Sequence, residues 1–410
     1  MKRFLTFCLL ALFIHQTLQA QCEELRYRYP IFDEVEVISD IHYGQNTLYS
    51  DNIQELLLDV YLPAGDTATI RPLVIMAHGG YFISGSKTDN TVVPICEGLA
   101  RMGYVTASIG YRLGVPIEFP LAGPFTEAVL RGIQDMRAAI RFFRKSFAED
   151  GNPYGIHPDE IYVGGLSAGG ILALHLAYMD LDEVPATVNW NNPGLTGGIE
   201  GNSGNPGYSS DIKAVIGIAA AIGDIQWIET GDVPAFLAHG THDDVVPFGS
   251  AMLTLFGAFD VVEVDGSSSI QERLDDLEIE NCFEIYYGQG HVPSQNIELY
   301  FDTTLSIMSN FLAHMICPQI PLDCEYREMT LTTEEIVEAE NSYVYPNPAH
   351  GVAYLRDAQT RFIRMRDLTG KEVEVKDMNQ TIYLNELARG IYLVELEKQG
   401  KIMIQKLVVY

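Results

Sequence analysis

Hydrophobic residues along the chain fall into short unbroken runs separated by longer amphipathic stretches. Leu73–Ala77 is an apolar run fit for a strand buried on both faces, and Tyr104–Ile109, Ile161–Val163, Ala214–Ala219, Pro234–His239 and Phe283–Tyr287 read as further strands. Glu34–His42 and Leu56–Tyr61 read as two earlier strands. Val129, Ile133, Met136, Ile140 and Phe143 recur at helical spacing and predict one apolar helix face. Gly170–Tyr178 predicts another helix, and helices are expected between the later strands too. Strands alternating with helices predict an α/β fold with a mostly parallel sheet. Asn189–Ser210 is rich in Gly and Asn, has no periodicity, and predicts a long inserted loop.

The two ends follow other patterns. Lys2 and Arg3 precede an apolar run, Phe4–Ile14, that closes on Leu18-Gln19-Ala20. This predicts a secretory signal peptide over 1–20. Gln21 before Cys22 argues against a lipid-anchored cysteine, and no later run reaches transmembrane length. After residue 342, short alternating runs and turns predict a small all-β sandwich. The expected organisation is therefore a signal peptide (1–20), an α/β domain (21–318), an acidic linker (319–341) and a β-domain (342–410). Charge agrees with that division. The 410 residues carry a net −29, which excludes nucleic acid as a natural partner, yet 342–410 has a slight positive excess.

Cys8 leaves with the signal peptide, so five cysteines remain, and an exported chain can keep disulfides. Cys317 and Cys324 bracket Pro-Gln-Ile-Pro-Leu-Asp, and a local bridge between them is expected, free thiols being the alternative. Cys96 and Cys282 fall on a helix and a strand, where a buried thiol is as natural as a bridge, and the odd number leaves at least one cysteine unpaired.

The candidate chemistry centres on Gly165-Leu166-Ser167-Ala168-Gly169, a G-x-S-x-G with a strand before it and a helix after it. That context is what a nucleophile elbow needs. A serine in an ordinary Gly-rich turn gives the same five letters, so three other pieces matter. His78-Gly79-Gly80-Tyr81 ends the strand Leu73–Ala77 and can offer backbone N–H groups to an oxyanion, together with Ala168. His239-Gly240-Thr241-His242-Asp243-Asp244 follows a later strand, where a carboxylate can reach a histidine. Its His-x-x-His-Asp spacing also permits metal ligation, but no second ligand cluster accompanies it. Gly288-Gln289-Gly290-His291 follows the last strand of this part. Ser167, Asp243, His291 is the chain order of an α/β-hydrolase triad.

Residues from about 54 to 312 resemble an α/β-hydrolase of the carboxylesterase/lipase superfamily, and within it secreted bacterial esterases related to feruloyl and acetyl esterases. The likeness rests on Asp59-Val60-Tyr61-Leu62-Pro63, His78-Gly79-Gly80, Tyr111-Arg112-Leu113, the elbow, His239-Gly240-Thr241-x-Asp243-x-Val245-Val246-Pro247 and Gly290-His291. The resemblance implies Ser167 as nucleophile, Asp243 as acid and His291 as base, the amides of Gly80, Tyr81 and Ala168 as oxyanion hole, and no cofactor or metal. Tyr81 departs from it, standing where many relatives have a third glycine. Val344-Tyr345-Pro346-Asn347-Pro348, Asp367-Leu368-Thr369-Gly370-Lys371, Gly390-Ile391-Tyr392-Leu393-Val394 and Lys406–Val409 are similar to the C-terminal sorting domain of the type IX secretion system of Bacteroidetes. A carbohydrate-binding or adhesion module is the alternative for this part. Taken together, the expectation is a secreted or cell-surface serine carboxylesterase. Its substrates would be short acyl or aryl esters, such as acetyl or feruloyl groups on polysaccharide, and its partner the type IX machinery. A peptidase, a polyester hydrolase or a catalytically inactive adhesion protein are the alternatives. Tyr81, Phe82, Tyr111, Phe119, Phe125 and Trp227 are candidates for an aryl pocket, and Leu113–Pro124 for its wall.

Overall fold

The computed structural model describes Cys22, residues 25–292 and 300–326, and towards the C-terminus 344–355, 359–367, 371–378, 380–385, 387–398 and 401–409. The expected signal peptide, the linker from 327 onward and the turn residues 368–370 lie outside the described residues. The chain divides into two compact units, 1–331 and 332–410.

The first unit holds strands β1 (Val35–Thr47), β2 (Ile53–Pro63), β3 (Arg71–Ala77), β4 (Val105–Ile109), β5 (Ile156–Leu166), β6 (Val215–Ile218), β7 (Ala221–Ile222), β8 (Ala235–Gly240), β9 (Ser250–Leu255), β10 (Phe259–Gly266) and β11 (Asn281–Tyr286). Its helices are α1 (Val93–Arg101), α2 (Ala122–Glu149), α3 (Ala168–Tyr178), α4 (Ser267–Asp276) and α5 (Asp302–Ile316). The main sheet has the order β1-β2-β4-β3-β5-β6-β8-β11. β2 is antiparallel to both neighbours, and every pair from β4 to β11 is parallel. The short, mostly apolar runs become the central strands: β3, β4, β6 and β8 are buried along their whole length. β4 lies on one side of β3 and β5 on the other, so a crevice opens beyond their carboxyl ends, where open α/β sheets bind ligands. This topology is that of an α/β-hydrolase. Among the described residues no helix is long and apolar enough to cross a membrane.

The two faces of α2 have different work. Val129, Ile133, Met136, Ile140 and Phe143 are buried in the core beneath the sheet. The polar stripe beside them holds the 189–210 insertion, which has no ladder of its own. Arg131 donates to the Pro193 carbonyl, Gln134 to those of Leu195 and Gly198, and Arg144 to those of Ser209 and Asp211, all within 3.1 Å. Arg137 and Arg141 share Glu200 at 2.8 Å each. Arg112, fully buried with Asp135, reaches the carbonyls of Thr47 and Gly194 as well. The loop's backbone acceptors are thus satisfied by side chains in place of secondary structure.

Two expectations need correction. Between β6 and β8 there is no α-helix; the chain makes β7 and one 3₁₀ turn, Ile225–Trp227, whose first amides are taken by Asp265 and Asp224. Between β8 and β11 the expected helix forms as α4, preceded by the β9–β10 hairpin, which joins β7 in a separate three-stranded sheet. The expected Cys317–Cys324 bridge is also replaced, by Cys22–Cys317 and Cys282–Cys324. Cys317 ends α5 facing the core, where it meets the N-terminal segment. The six residues after it carry Cys324 to the edge strand β11. Residues up to 326, assigned to the linker from sequence, are therefore tied to the first unit, with Asn310 also donating to the Glu325 carbonyl. Cys96 is a free buried thiol.

One half-buried acid gives a pH signature. Burial pushes the Glu284 carboxyl on β11 from 4.5 up to about 7. Between those values the unfolded chain has lost a proton that the folded chain keeps, so stability falls as pH rises through the window. Glu284→Gln is expected to stabilise the protein at pH 8 by about 1–3 kcal/mol and to change little at pH 4, read as the difference in denaturant midpoints. An equal effect at both pH values would contradict this.

The second unit is all β: β12 (Val344–His350), β13 (Val352–Leu355), β14 (Thr360–Asp367), β15 (Glu372–Val373), β16 (Lys376–Met378), β17 (Thr381–Tyr383), β18 (Gly390–Lys398) and β19 (Lys401–Val409). The pairs are antiparallel except β12–β19, which touch in parallel at Ala349 and Val409, so β12 links two half-sheets. Val344, Ala353, Met365, Ile382, Val394, Leu396 and Leu407 fill the core.

Candidate active site

Each piece of the candidate site stands at the carboxyl end of a parallel strand. Ser167 links β5 to α3 at φ 55°, ψ −121°, a region that non-glycine residues avoid. The sharp reversal is held by Ser167 N–H on the Ile218 carbonyl at 2.8 Å, and by Ile171 N–H on the Ser167 carbonyl at 2.9 Å. It needs a glycine beside it, because a Cβ on Gly169 would collide with the carbonyl oxygen of Ala77.

The turn after β3 abuts this elbow, Gly79 lying against the Ser167 side chain. Gly80, Tyr81 and Phe82 all have positive φ, and a Cβ on Gly80 would strike the Ser84 carbonyl. His78 fastens the turn: its Nδ1 lies 2.7 Å from the Gly79 carbonyl, and its ring stacks on Tyr111, whose hydroxyl donates to the His78 carbonyl. Burial lowers the His78 pKa, favouring a neutral ring here. Among the described residues no acceptor takes the N–H of Gly80, Tyr81 or Ala168, which leaves three donors for a ligand.

His291, in the loop after β11, spans the gap between the other two groups. Its Nε2 lies 2.9 Å from Ser167 Oγ and its Nδ1 2.7 Å from Asp243 Oδ2. Asp243 is fully buried, while His291 keeps about a fifth of its side chain in solvent. Burial opposes the Asp243 charge. Hydrogen bonds from His239, His291 and the Val246 amide outweigh it and hold the carboxyl well below the usual range. Asp243 Oδ1 takes the amides of both Val245 and Val246. Asp244 is exposed. His242 is exposed too and bonds to Thr241.

Beside Ser167 lies a narrow apolar cleft, open to solvent. Of the aromatic candidates, Tyr81, Phe82 and Phe125 line it. The others do not: Tyr111 is buried against His78, Trp227 packs on His175, and Phe119 is exposed beside Phe259. The far wall is the β9–β10 hairpin, through Leu253, Leu255 and Val261, which sequence reasoning missed. The available signal was the alternation of buried Leu253 and Leu255 with more exposed neighbours on a β-strand. In the sequence His239 offered only a metal-ligand reading, yet it shares Asp243 Oδ2 with His291, at 3.0 Å.

Residues 58–219 match the BD-FAE family. The matched stretch runs from β2 through β6, includes Ser167 and stops short of Asp243 and His291. Residues 343–410 match the secretion system C-terminal sorting domain, which marks the chain for secretion. Similar curated proteins include a non-reducing polyketide synthase, atr1, of Stereocaulon alpinum (36% identical over 137 residues, 32% of this chain and 5% of the synthase). Esterase-5C of Drosophila pseudoobscura pseudoobscura is 30% identical over 128 residues, and Esterase-5A of Drosophila persimilis 32% over the same length; each match covers 31% of this chain. The chain thus spans about a fifth of these esterases (22% of each). Similar solved structures include a truncated carbohydrate esterase from gut microbiota (TM-score 0.48, 20% identity, 68% of this chain and 96% of that one). Another is the propionate-bound esterase Est2 of Thermogutta terrifontis (TM-score 0.47, 21% identity, 66% and 94%). At these TM-scores neither bears on activity or substrate.

Proposed function

We propose that the first unit is a serine carboxylic ester hydrolase working through Ser167, His291 and Asp243. The observation that carries the reading is the continuous path Ser167 Oγ–His291–Asp243, at 2.9 and 2.7 Å, beside three unclaimed amides. Ionised Asp243 accepts the Nδ1 proton of His291, so Nε2 presents a lone pair to Ser167. The serine oxygen attacks the ester carbonyl as its proton passes to Nε2. The oxyanion sits against the N–H groups of Gly80, Tyr81 and Ala168. The alcohol leaves with that proton, and water, deprotonated by the same imidazole, releases the acid from the acyl-enzyme. Fluorophosphonate labelling tests the reading directly: one adduct on Ser167, blocked by prior substrate, is expected, and failure to label overturns it.

The apolar lining of the cleft favours the acyl side of a small or aryl ester. Secretion favours esters met outside the cell, such as acetyl or feruloyl groups on polysaccharide. Rates on matched p-nitrophenyl, feruloyl and acetyl-sugar esters rank these. The sorting domain implies the type IX machinery as a partner. Deleting 342–410 is expected to leave kcat unchanged and to abolish delivery to the surface or medium, read by fractionating producing cells. Loss of polymer binding by the truncated, active enzyme would instead assign that unit to adhesion.

A further inference from the structure

His239 sits at the end of β8 with no exposed atom, directly behind the acid loop. Its Nε2 lies 3.0 Å from Asp243 Oδ2 and 3.1 Å from the Val246 carbonyl. A carbonyl only accepts, so Nε2 carries the proton and donates to both. Its Nδ1 meets Ser267 Oγ, the first residue of α4, at 2.8 Å, and Ser267 Oγ lies 3.3 Å from the Ala220 carbonyl. Phe248 packs edge-on against the ring. With its proton on Nε2, the ring accepts the Ser267 hydroxyl at Nδ1, so one imidazole ties the two ends of the loop 240–246 together and anchors them to α4. Asp243 Oδ2 carries two imidazole N–H groups, one from His291 and one from His239.

We infer that His239 is a positioning residue for the reaction: it fixes the Asp243 carboxylate and takes a share of its charge, which sets how strongly Asp243 favours protonated His291. The inference rests on the triad reading above. The other titratable groups around this path are Asp244 and His242 on the same loop, Tyr81 across the cleft, which feels both Asp243 and Asp244, and Asp265 of β10, bonded to Ile225 and Ser250. Among the described residues none of these bonds to Asp243 or His239.

Without the His239 donor, Oδ2 directs its charge at His291 alone. Protonated imidazole is then favoured, and because the base must be neutral to act, the acid limb of the rate profile moves to higher pH. The carboxylate also gains freedom, which misaligns the imidazole. In the full chain, with kcat counted per fluorophosphonate-reactive site, His239→Leu is expected to lower kcat by up to about 100-fold. It should also move the acid limb of kcat/KM up by about half a pH unit or more, the size of one net hydrogen bond. His239→Gln places an amide N–H near the Nε2 position and is expected to recover most of kcat and return the limb. A Leu variant with kcat within threefold of wild type and an unmoved limb overturns the proposal, as does a low kcat with an unmoved limb, the sign of a merely structural role. If the Leu variant does not fold, the wild-type chain answers with ¹⁵N-labelled histidine. The His239 Nε2–H resonance is expected to shift when Ser167 is phosphonylated, and a resonance that stays in place overturns the coupling. Ser167→Ala run in parallel separates the two levels: hydrolysis persisting there removes the triad itself, whatever His239 does.

Discussion

Ser167→Ala is expected to lower kcat for ester hydrolysis by about 10⁴-fold or more, because nucleophile, base and acid act as one unit and removing any of them forfeits the covalent route. The fold should survive. Ser167 Oγ bonds to His291, and the elbow is held by the backbone bonds to Ile218 and Ile171, which alanine keeps. Alanine meets the same positive φ that serine already tolerates. Thermal stability close to wild type, with activity lost and fluorophosphonate labelling abolished, is therefore the expected set of results. The oxyanion amides remain, so a residual rate above that of water alone should persist. Retention of more than a tenth of wild-type kcat would move the nucleophile elsewhere.

How legible the molecule is in its sequence depends on where the forming forces act. The central strands could be read because burial on both faces leaves apolar residues at 73–77, and apolar or small residues at 105–109. The core face of α2 could be read because helical period and packing coincide from Val129 to Phe143. The pieces now meeting around Ser167, though 124 and 48 residues apart along the Ser167–His291–Asp243 path, each carried a local mark: a strand end, then glycines where backbone approaches backbone. What could not be read depended on partners distant in sequence. Cys317 pairs with Cys22 across 295 residues because α5 packs beside the N-terminal segment, and proximity in the chain says nothing of that. The region after β6 lacks a helix because Asp224 and Asp265 satisfy its amides in a 3₁₀ turn, a tertiary solution that outweighs helical expectation. The same holds for 189–210. Its lack of periodicity was plain, but the arginine stripe that orders it was hidden on the polar face of α2. His239 looked like part of a strand-end motif, and only the folded loop brings its Nε2 onto Asp243.

Asp243→Asn is expected to cost up to about 10⁴-fold in kcat, and Asp244→Asn less than about tenfold, although the two residues are neighbours and chemically identical. The difference lies in what each oxygen already holds. Asp243 Oδ1 accepts the amides of Val245 and Val246 at 2.8 and 2.9 Å, so in the Asp243→Asn variant the side-chain carbonyl oxygen must stay there. The new NH₂ is then forced into the position of Oδ2, facing His291 and His239. Two donors cannot share a hydrogen bond. His291 must turn its lone pair to Nδ1 and carry its proton on Nε2, which is the tautomer that cannot accept from Ser167. His239 keeps only the Val246 carbonyl for its Nε2–H. Asp244, by contrast, is exposed, and its carboxylate acts on His291 only through water and across a chain already bearing a net −29. Measuring kcat for both single mutants at one pH, and again with alkaline conditions that raise the fraction of neutral imidazole, decides the matter. Asp243→Asn should stay slow wherever the wrong tautomer persists, and a crippled Asp244→Asn beside an active Asp243→Asn would transfer the acid's role to the next residue.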